Sequence, residues 1–180
     1  MRFPVFDLDG TLLDTDAALR DAFVALGVPT NDVTFGHVLA DECERLGLTV
    51  EDYLDHYDET SAQPFPGVTH LVDALDRWAV CSNKHPRSGR AELARLGWTP
   101  AVALFSDAFA GPKQLEPVLD ALGLTGEEIA FVGDTDHDRT CARAVGCAFV
   151  QAAWNPRARP VATDLVARHP LDVLDLLDRT

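Results

Sequence analysis

The sequence predicts an α/β protein in which a parallel sheet carries helices on both faces and a small helical cap is inserted after the first strand. Three observations indicate this fold class. Apolar runs alternate with helix-like segments after residue 68, as in chains that build parallel sheets. An isolated apolar run at residues 3–8 precedes them. An acidic, helix-like block lies between that run and the rest.

The helix-like block defines the predicted cap. Residues 15–28 have apolar side chains at helical spacing and end near a glycine, and residues 32–62 are mostly helical by pattern and strongly acidic. The segment "QPFPGV" that follows is rich in proline and glycine, which is typical of a boundary between structural units. We therefore expect a cap at residues 15–63 and a core at residues 1–14 and 64–180.

The remaining core elements follow in order along the chain. The run at residues 3–8 is almost continuously apolar, as expected for a strand buried between two helical layers. Later apolar runs are separated by amphipathic segments, several of which end at a glycine. The predicted strands lie at residues 78–83, 101–109, 128–134 and 147–154, and the predicted helices at residues 68–78, 86–97, 114–124, 136–146 and 171–179.

The composition limits the possible classes of function. The chain has 180 residues and a formal net charge of −14, which disfavours nucleic acid and anionic membranes as partners because both attract basic surfaces. No apolar stretch reaches the ~18 residues of a membrane span, and no signal-peptide pattern is found. The four cysteines form no C-x-x-C pair, so free thiols in a reducing compartment are expected. We expect a cytoplasmic protein, either a monomer or a small homo-oligomer.

Polar and charged residues collect at the ends of the predicted strands. In a parallel sheet the carboxyl ends of the strands form one edge, where ligands bind. Each signal alone is weak, because a D-x-D-G pattern is often an ordinary turn, a lone lysine is usually solvated, and acidic residues favour a helix N-terminus. Their occurrence together indicates a site. The residues are Asp7, Asp9, Ser82, Asn83, Lys84, Lys113, Asp134, Asp136 and Asp138.

These motifs resemble those of the haloacid dehalogenase-like phosphatases. "DLDGTLLD" is similar to the first motif of that family, "VCSN" to the second, Lys113 to the third and "GDTDHD" to the fourth. The resemblance covers residues 3–14 and 66 to about 154, and it is greatest to the phosphoglycolate-phosphatase-like branch, whose helical cap follows the first motif. It implies a Rossmann-like core and a phosphatase that uses Mg²⁺ to hydrolyse a small-molecule phosphoester.

Phosphoester hydrolysis requires a nucleophile and a proton donor for the leaving oxygen. Asp7 is the candidate nucleophile, which would form an aspartyl-phosphate. Asp9, two residues later, is the candidate general acid and base. The resemblance implies that the Asp7 side chain, the Asp9 carbonyl and the Asp134 side chain bind Mg²⁺. It also implies that Asp138 holds a water on the metal.

The phosphoryl oxygens need groups that neutralise their charge. Ser82 and the backbone amide of Asn83 are the candidate hydrogen-bond donors, and Lys113 adds a full positive charge. Thr11 is expected to hydrogen-bond Asp7. Together these residues provide a phosphate-binding set at the same edge of the sheet as the two catalytic aspartates.

Some features depart from the family pattern. Gln114 follows Lys113 where the family usually has proline, and the segment before Ser82 is a few residues short and lacks a glycine. We expect the first change to alter loop stiffness and the second to clip a strand or shorten a helix. His85 and His137 are expected to face solvent.

The composition of the cap bears on the substrate. Within residues 15–63 acidic side chains far outnumber the arginines Arg20 and Arg45, and there is no lysine. We expect a neutral or cationic leaving group, such as a sugar or an amine, although a solvated acidic face is the simpler explanation. The alternatives are a phosphoglucomutase-like phosphotransferase and a non-catalytic binding or regulatory protein that retains the fold. A dehalogenase is disfavoured, because it would not need Asp9.

Overall fold

The computed structural model describes residues 1–34 and 38–179, which form a six-stranded sheet, a two-stranded sheet and eight α-helices. None of the described helices has the length and apolarity needed to cross a lipid bilayer. The strands are β1 (Phe3–Phe6), β2 (Leu13–Asp14), β3 (Gln63–Pro64), β4 (Ala79–Cys81), β5 (Val102–Leu104), β6 (Ile129–Gly133), β7 (Ala148–Ala152) and β8 (Leu165–Ala167). The helices are α1 (Asp16–Ala25), α2 (Leu39–Leu46), α3 (Val50–His56), α4 (Val68–Asp73), α5 (Pro86–Leu96), α6 (Glu116–Leu122), α7 (Asp136–Ala144) and α8 (Asp172–Arg179).

The six strands of the large sheet run parallel in the order β5-β4-β1-β6-β7-β8. β1 lies in the middle, where Val5 pairs with Ala79 of β4 on one side and with Phe131 of β6 on the other. This register brings the carboxyl ends of β1, β4 and β6 to the same edge. The predicted parallel, Rossmann-like sheet is therefore confirmed.

Alternate residues of the central strands face opposite sides of the sheet. Phe6 and Val132 belong to a buried apolar cluster that includes side chains of α4, α5 and α8. Val5 and Phe131 belong to a second cluster that includes side chains of α6 and α7. The prediction that helices cover both faces is confirmed.

Helices α1, α2 and α3 share a third apolar cluster of their own. Phe23 of α1 packs against Tyr53 of α3, with ring centroids 4.5 Å apart, and the buried Cys43 of α2 belongs to the same cluster. Because these three helices share a small apolar core of their own, they pack together as one unit at the edge of the sheet.

The chain enters and leaves this helical block through the antiparallel pair β2 and β3, where Leu13 lies opposite Pro64. This pairing holds the two connecting segments side by side. The boundaries of the cap, at residues 15–63, stay a prediction. Residues 35–37 of the predicted helical block lie outside the described residues, as does Thr180 at the end of the predicted core.

Three details differ from the expected elements. β5 is only three residues long and is followed by a short 3₁₀ helix, so the strand predicted at residues 101–109 is too long. β8 and the β2–β3 pair were not predicted, because strands of two or three residues show no periodicity. α4 ends at Asp73 rather than Trp78, which is the shortened helix expected before Ser82.

Candidate active site

The chain turns sharply after β1 and places Asp7 at the carboxyl end of the sheet. The backbone N–H of Asp7 donates to the carbonyl of Val132, which extends the pairing of β1 with β6. Gly10 has a φ of +78° in the turn, and a Cβ there would lie 2.7 Å from Asp134 Oδ2. Glycine is required at this position both for the backbone conformation and for the close approach.

Three buried carboxylates meet at this edge. Oxygen atoms of Asp7, Asp134 and Asp138 lie within 4.8 Å of one another. Lys113 is buried beside them, with its Nζ 2.8 Å from Asp7 Oδ1 and 2.6 Å from Asp138 Oδ1. Three carboxylates against one ammonium leave an excess of two negative charges when all four groups are ionised. We name these four residues the Lys113 centre.

Burial and repulsion shift the pKa values in the Lys113 centre. Burial raises the pKa of Asp7 to about 7, against the attraction of Lys113 and with the repulsion of Asp138 and Asp134. Burial and the Asp138 charge raise the pKa of Asp134 to about 6. Burial alone would lower the pKa of Lys113, but Asp138 and Asp7 outweigh it and raise that pKa.

The Lys113 centre fits a hard divalent cation. Its donors are carboxylate oxygens, which such cations prefer, and a further positive charge would offset the burial and the repulsion that together raise the pKa values of Asp7 and Asp134. The Asp138 carboxylate has more contacts within the protein than the other two carboxylates. Its Oδ1 pairs with Lys113, and its Oδ2 accepts hydrogen bonds from the N–H and hydroxyl of Thr135 at the start of α7.

The backbone beside Asp138 and Lys113 is fitted to these side chains. A Cβ on Gly133 would lie 2.4 Å from Asp138 Cγ, so glycine leaves the space that the carboxylate occupies. The Asn83 side-chain oxygen accepts a 2.6 Å hydrogen bond from the N–H of Lys113. This bond ties the end of β4 to the loop before α6. Sequence reasoning had considered only the backbone amide of Asn83.

Asp134 is held by hydrogen bonds from both sides. The Thr11 hydroxyl donates to its Oδ1 at 3.2 Å, and Asn155 Nδ2 donates to its Oδ2 at 2.9 Å and to the Gly10 carbonyl at 2.8 Å. The expected bond from Thr11 to Asp7 is wrong. Thr11 follows the Gly10 turn, which carries its hydroxyl across to the neighbouring strand β6.

Asp9 has a different partner, the buried Lys84. Lys84 Nζ lies 2.8 Å from Asp9 Oδ1, 3.1 Å from Glu92 Oε1 and 2.9 Å from the hydroxyl of Tyr57, which follows α3 of the cap. The Tyr57 hydroxyl donates to Glu92 Oε1 at 2.5 Å. We name these four residues the Lys84 centre.

Burial dominates the charges of the Lys84 centre as well. Burial raises the pKa of Glu92 to about 7, although Lys84 opposes the rise. Burial alone would lower the pKa of Lys84, but Asp9 and Glu92 outweigh it and raise that pKa. Burial also raises the pKa of Tyr57, so its hydroxyl keeps its proton and acts as a donor.

A cleft of about 160 Å³ lies between the sheet edge and the helical cap. Asp7, Asp9 and Ser82 line the core side. His85 and His137 also line it and are half-buried, so the expectation that they face solvent is wrong. The end of β4 and the start of α7 converge on the cleft, which places both histidines at its wall. The cap side is lined mainly by apolar and aromatic residues, Leu19, Phe23, Leu39, Tyr53 and Tyr57.

The cations that line the cleft are each paired with a carboxylate. Lys113 and Lys84 have the partners given above, and Arg157 Nη2 lies 2.5 Å from Asp16 Oδ1 at the start of α1. Glu42 of the cap, which also lines the cleft, is bonded to Arg45. The described part of the cap thus presents no arginine or lysine side chain to the cleft.

The family model described as haloacid dehalogenase-like hydrolase matches residues 5–152. The chain belongs to this family. The N-acetylmuramic acid 6-phosphate phosphatase of Pseudomonas aeruginosa is 29% identical in an alignment 212 positions long, which covers 97% of this chain and 94% of that protein. The phosphoglycolate phosphatase of Xanthomonas campestris pv. campestris is 30% identical over 194 residues, covering 87% of this chain and 86% of that protein.

The structural comparison agrees with the family. The crystal structure of a hydrolase from Pseudomonas syringae superposes with a TM-score of 0.77 at 20% identity and covers 99% of this chain and 98% of that one. At this identity the likeness supports the fold alone. The predicted family, its phosphoglycolate-phosphatase-like branch and the predicted hydrolase class are confirmed.

Sequence reasoning missed several residues that shape the site of this haloacid dehalogenase-like hydrolase. Gln151, at the end of β7, donates to the Asp134 carbonyl at 2.7 Å, and Asn155 follows on the same connection. Both could have been found by extending the strand-end search to β7. Glu92 and Tyr57 lie within or beside helices, where the sequence gives no signal of their meeting with Lys84.

Proposed function

We propose that this chain is a Mg²⁺-dependent phosphatase that hydrolyses a small phosphomonoester through an aspartyl-phosphate. The observation that carries the proposal is the buried Asp7 carboxylate, which faces the cleft at the end of the central strand with Lys113 Nζ 2.8 Å away. A buried nucleophile beside a fixed cation is what phosphoryl transfer requires. The phosphatases among the relatives support this reaction class.

Mg²⁺ would be held by the side chains of Asp7 and Asp134 and by the carbonyl of Asp9. Asp138 would contact the ion through water, since its Oδ1 pairs with Lys113 and its Oδ2 already accepts two hydrogen bonds from Thr135, whereas each oxygen of Asp134 accepts only one from the described residues. When bound, the ion neutralises phosphoryl oxygens and the repulsion between the carboxylates. Thr11 and Asn155 orient Asp134 for this task.

In the first step a carboxylate oxygen of Asp7 attacks phosphorus, and the bond from phosphorus to the ester oxygen breaks. The electron pair of that bond stays on the ester oxygen, which takes the proton of Asp9. In the second step the Asp9 carboxylate removes a proton from water, whose oxygen attacks phosphorus. The bond to Asp7 then breaks, phosphate leaves, and both carboxyl groups return to their starting states.

The non-reacting phosphoryl oxygens need donors on the core side of the cleft. Lys113 provides a fixed positive charge, and the buried hydroxyl of Ser82 and the amide of Asn83 directly follow the neighbouring strand β4. The Asn83 side chain holds the Lys113 loop in place through the hydrogen bond to the Lys113 N–H. These contacts position the phosphoryl group in line with Asp7.

The leaving group would be neutral or cationic. The cations at the cleft are already paired with carboxylates, and the cap side is mainly apolar and aromatic. A second anionic group on the substrate would find no unpaired cation among the described cap residues at the cleft. The substrates named for the two relatives are both acids, so this preference would distinguish the chain from them.

A screen of phosphate esters with and without Mg²⁺ tests the proposal. We expect phosphate release that depends on Mg²⁺ and is fastest with neutral sugar or amino-alcohol phosphates. Phosphate release that is unaffected by EDTA would contradict the metal requirement. Transfer to a sugar phosphate without release would favour the phosphotransferase. Inactivity against the whole panel would favour a non-catalytic protein.

A further inference from the structure

The Lys84 centre joins the cap to the core around one side chain. An ammonium group has three N–H donors. Lys84 Nζ has three oxygen contacts, with Asp9 at 2.8 Å, Glu92 at 3.1 Å and the Tyr57 hydroxyl at 2.9 Å. The donors of Lys84 are therefore fully used, and one of them fixes Asp9 Oδ1.

Each partner of Lys84 restricts its position. The side chain of Lys84 is 3% exposed and that of Glu92 is fully buried. The Tyr57 ring lies under the ammonium group, with Nζ 4.8 Å from the ring centroid, while its hydroxyl bonds Glu92. Lys84 thus cannot move without breaking contacts with a core carboxylate and with a cap side chain.

Stability alone does not account for this arrangement. A buried ion pair is often no more stabilising than apolar residues of similar size, because both charges lose their hydration. Glu92 Oε2 is buried without a hydrogen-bond partner among the described residues, which adds a further cost. The other residues of the Lys84 centre fix the position of Asp9, whose side chain is 24% exposed at the cleft.

We propose that Lys84, fixed by Glu92 and by Tyr57 of the cap, is the positioning residue for Asp9 and makes proton transfer by Asp9 depend on the seated cap. This inference rests on the proposed phosphatase function and on Asp9 as its general acid and base. Lys84 acts through Asp9, whose Oδ1 lies 2.8 Å from its Nζ. It sets where the Asp9 carboxyl points, and Tyr57 transmits the position of the cap to it.

A positioning role for Lys84 and a purely structural role predict different effects on kcat/KM. Proton donation by Asp9 is needed most for an alkyl phosphate, whose leaving oxygen is strongly basic, and least for p-nitrophenyl phosphate, whose leaving oxygen is stable as an anion. Misplacing Asp9 should therefore lower kcat/KM for the alkyl ester selectively. A general loss of folding or of phosphate binding would lower kcat/KM for both esters alike.

The experiment compares Lys84→Met and Tyr57→Phe with wild type on both esters, at saturating Mg²⁺. General acid catalysis is worth about 10²- to 10⁴-fold, so we expect Lys84→Met to lower kcat/KM for the alkyl ester by about 10²-fold and for the aryl ester by less than about 5-fold. Tyr57→Phe keeps the ring and the Lys84–Asp9 pair. We expect it to lower the alkyl value by about 5-fold and the aryl value by less than about 2-fold.

A matched control removes a different contact between the cap and the core, one that joins α3 to α5. Asp55 of the cap and Arg87 of the core form an exposed ion pair at 3.4 Å that touches none of the Lys84 centre. Asp55→Asn should leave both esters unchanged. Equal losses on the two esters in Tyr57→Phe, or an unchanged ratio in both variants, would overturn the inference. A wild type that hydrolyses neither ester would overturn the proposed phosphatase function itself.

Discussion

Two buried lysines of this molecule each lie between two carboxylates, and what surrounds them differs. Around Lys113 a third carboxylate, Asp134, comes from the next strand, so the centre keeps an excess of negative charge. Around Lys84 the third oxygen is the neutral hydroxyl of Tyr57, which comes from the cap. The Lys113 centre can therefore accept another positive charge, whereas all three N–H donors of Lys84 already have acceptors.

Both centres contain a lysine between two carboxylates, but this difference in their surroundings gives them different roles. The Lys113 centre is built from strand ends, a core loop and the first turn of α7, which fix its geometry without a side chain of the cap. The Lys84 centre includes a side chain of the cap, so its geometry depends on where the cap lies. The Lys113 centre would supply positive charge to the phosphoryl group, and the Lys84 centre would control the position of Asp9.

The largest effect should come from the Lys113 centre. Asp7→Asn removes the nucleophile, and we expect phosphatase activity to fall by about 10³-fold or more. The melting temperature should not fall, because the substitution also removes a charge that Asp134 and Asp138 repel. The control is Asp120→Asn, an exposed position on α6. Retention of much of the wild-type rate by Asp7→Asn would show that another group attacks phosphorus.

Much of the Lys113 centre could be predicted from the sequence, because Asp7 and Asp134 directly follow strands, and Lys113 and Asp138 lie just before and just inside the starts of two helices, α6 and α7, on the same side of the sheet. A parallel sheet brings the ends of neighbouring strands together, so Asp7, Lys113, Asp134 and Asp138 could be placed at one edge from order alone. The Lys84 centre could not be predicted. Glu92 lies inside α5, and its meeting with Lys84 depends on the rotation of that helix.

Three other features could not be predicted from the sequence: the contact of the cap with the core, the short strand β8 and the direction of the Thr11 side chain. The contact of Tyr57 with Lys84 depends on how the cap packs on the core, which sequence periodicity does not encode. The strand β8 was missed because three residues show no alternation, although the sheet and its two helical layers were predicted correctly. Thr11 was placed on the wrong aspartate because the direction of a side chain after a glycine turn depends on backbone angles.

Mg²⁺ should stabilise the protein through the Lys113 centre. A ligand that binds only the folded state adds about 2.7 kcal/mol at 100 times its dissociation constant. Thermal unfolding with EDTA and with millimolar Mg²⁺ measures this gain. Asp134→Asn should reduce it, and Glu92→Gln in the Lys84 centre should not. An equal gain in Asp134→Asn and wild type would place the ion elsewhere.

The buried carboxylate of Glu42, which belongs to neither centre, tests whether an ion pair there affects stability alone. Burial alone would raise the pKa of Glu42, but hydrogen bonds from Arg45 and Thr34 lower it from 4.5 to about 2. A lowered pKa stabilises the fold above the ordinary pKa, and this contribution is lost as the pH falls through the folded value.

We therefore expect Glu42→Gln to cost about 1–3 kcal/mol of unfolding free energy at pH 7. The difference from wild type should shrink between pH 4.5 and about 2. Denaturant titrations across that range measure it, with Glu44→Gln, at an exposed position on α2, as the control. A difference that does not change with pH would mean that packing rather than charge is lost.

The smallest expected effect concerns the charge of the substrate. Repulsion from the acidic cap should give a neutral sugar phosphate a several-fold higher kcat/KM than phosphoglycolate, and the gap should narrow with salt because exposed charges are screened beyond about 8 Å at physiological ionic strength. Steady-state kinetics at low and high salt measure both values. A clear preference for phosphoglycolate would show that the cleft supplies a cation, with Arg157 the first residue to substitute.

The covalent intermediate offers the most direct test. The protein is mixed with substrate and Mg²⁺, quenched in acid within the first turnover, digested, and the peptide that contains Asp7 is analysed by mass spectrometry. With p-nitrophenyl phosphate, whose leaving oxygen needs little help from a general acid, we expect a phosphoryl group on Asp7 in the wild type, none in Asp7→Asn, and more of it in Asp9→Asn, where hydrolysis of the intermediate lacks its base. Rapid hydrolysis by the wild type with no phosphoryl group on Asp7 at any quench time would contradict the proposed mechanism.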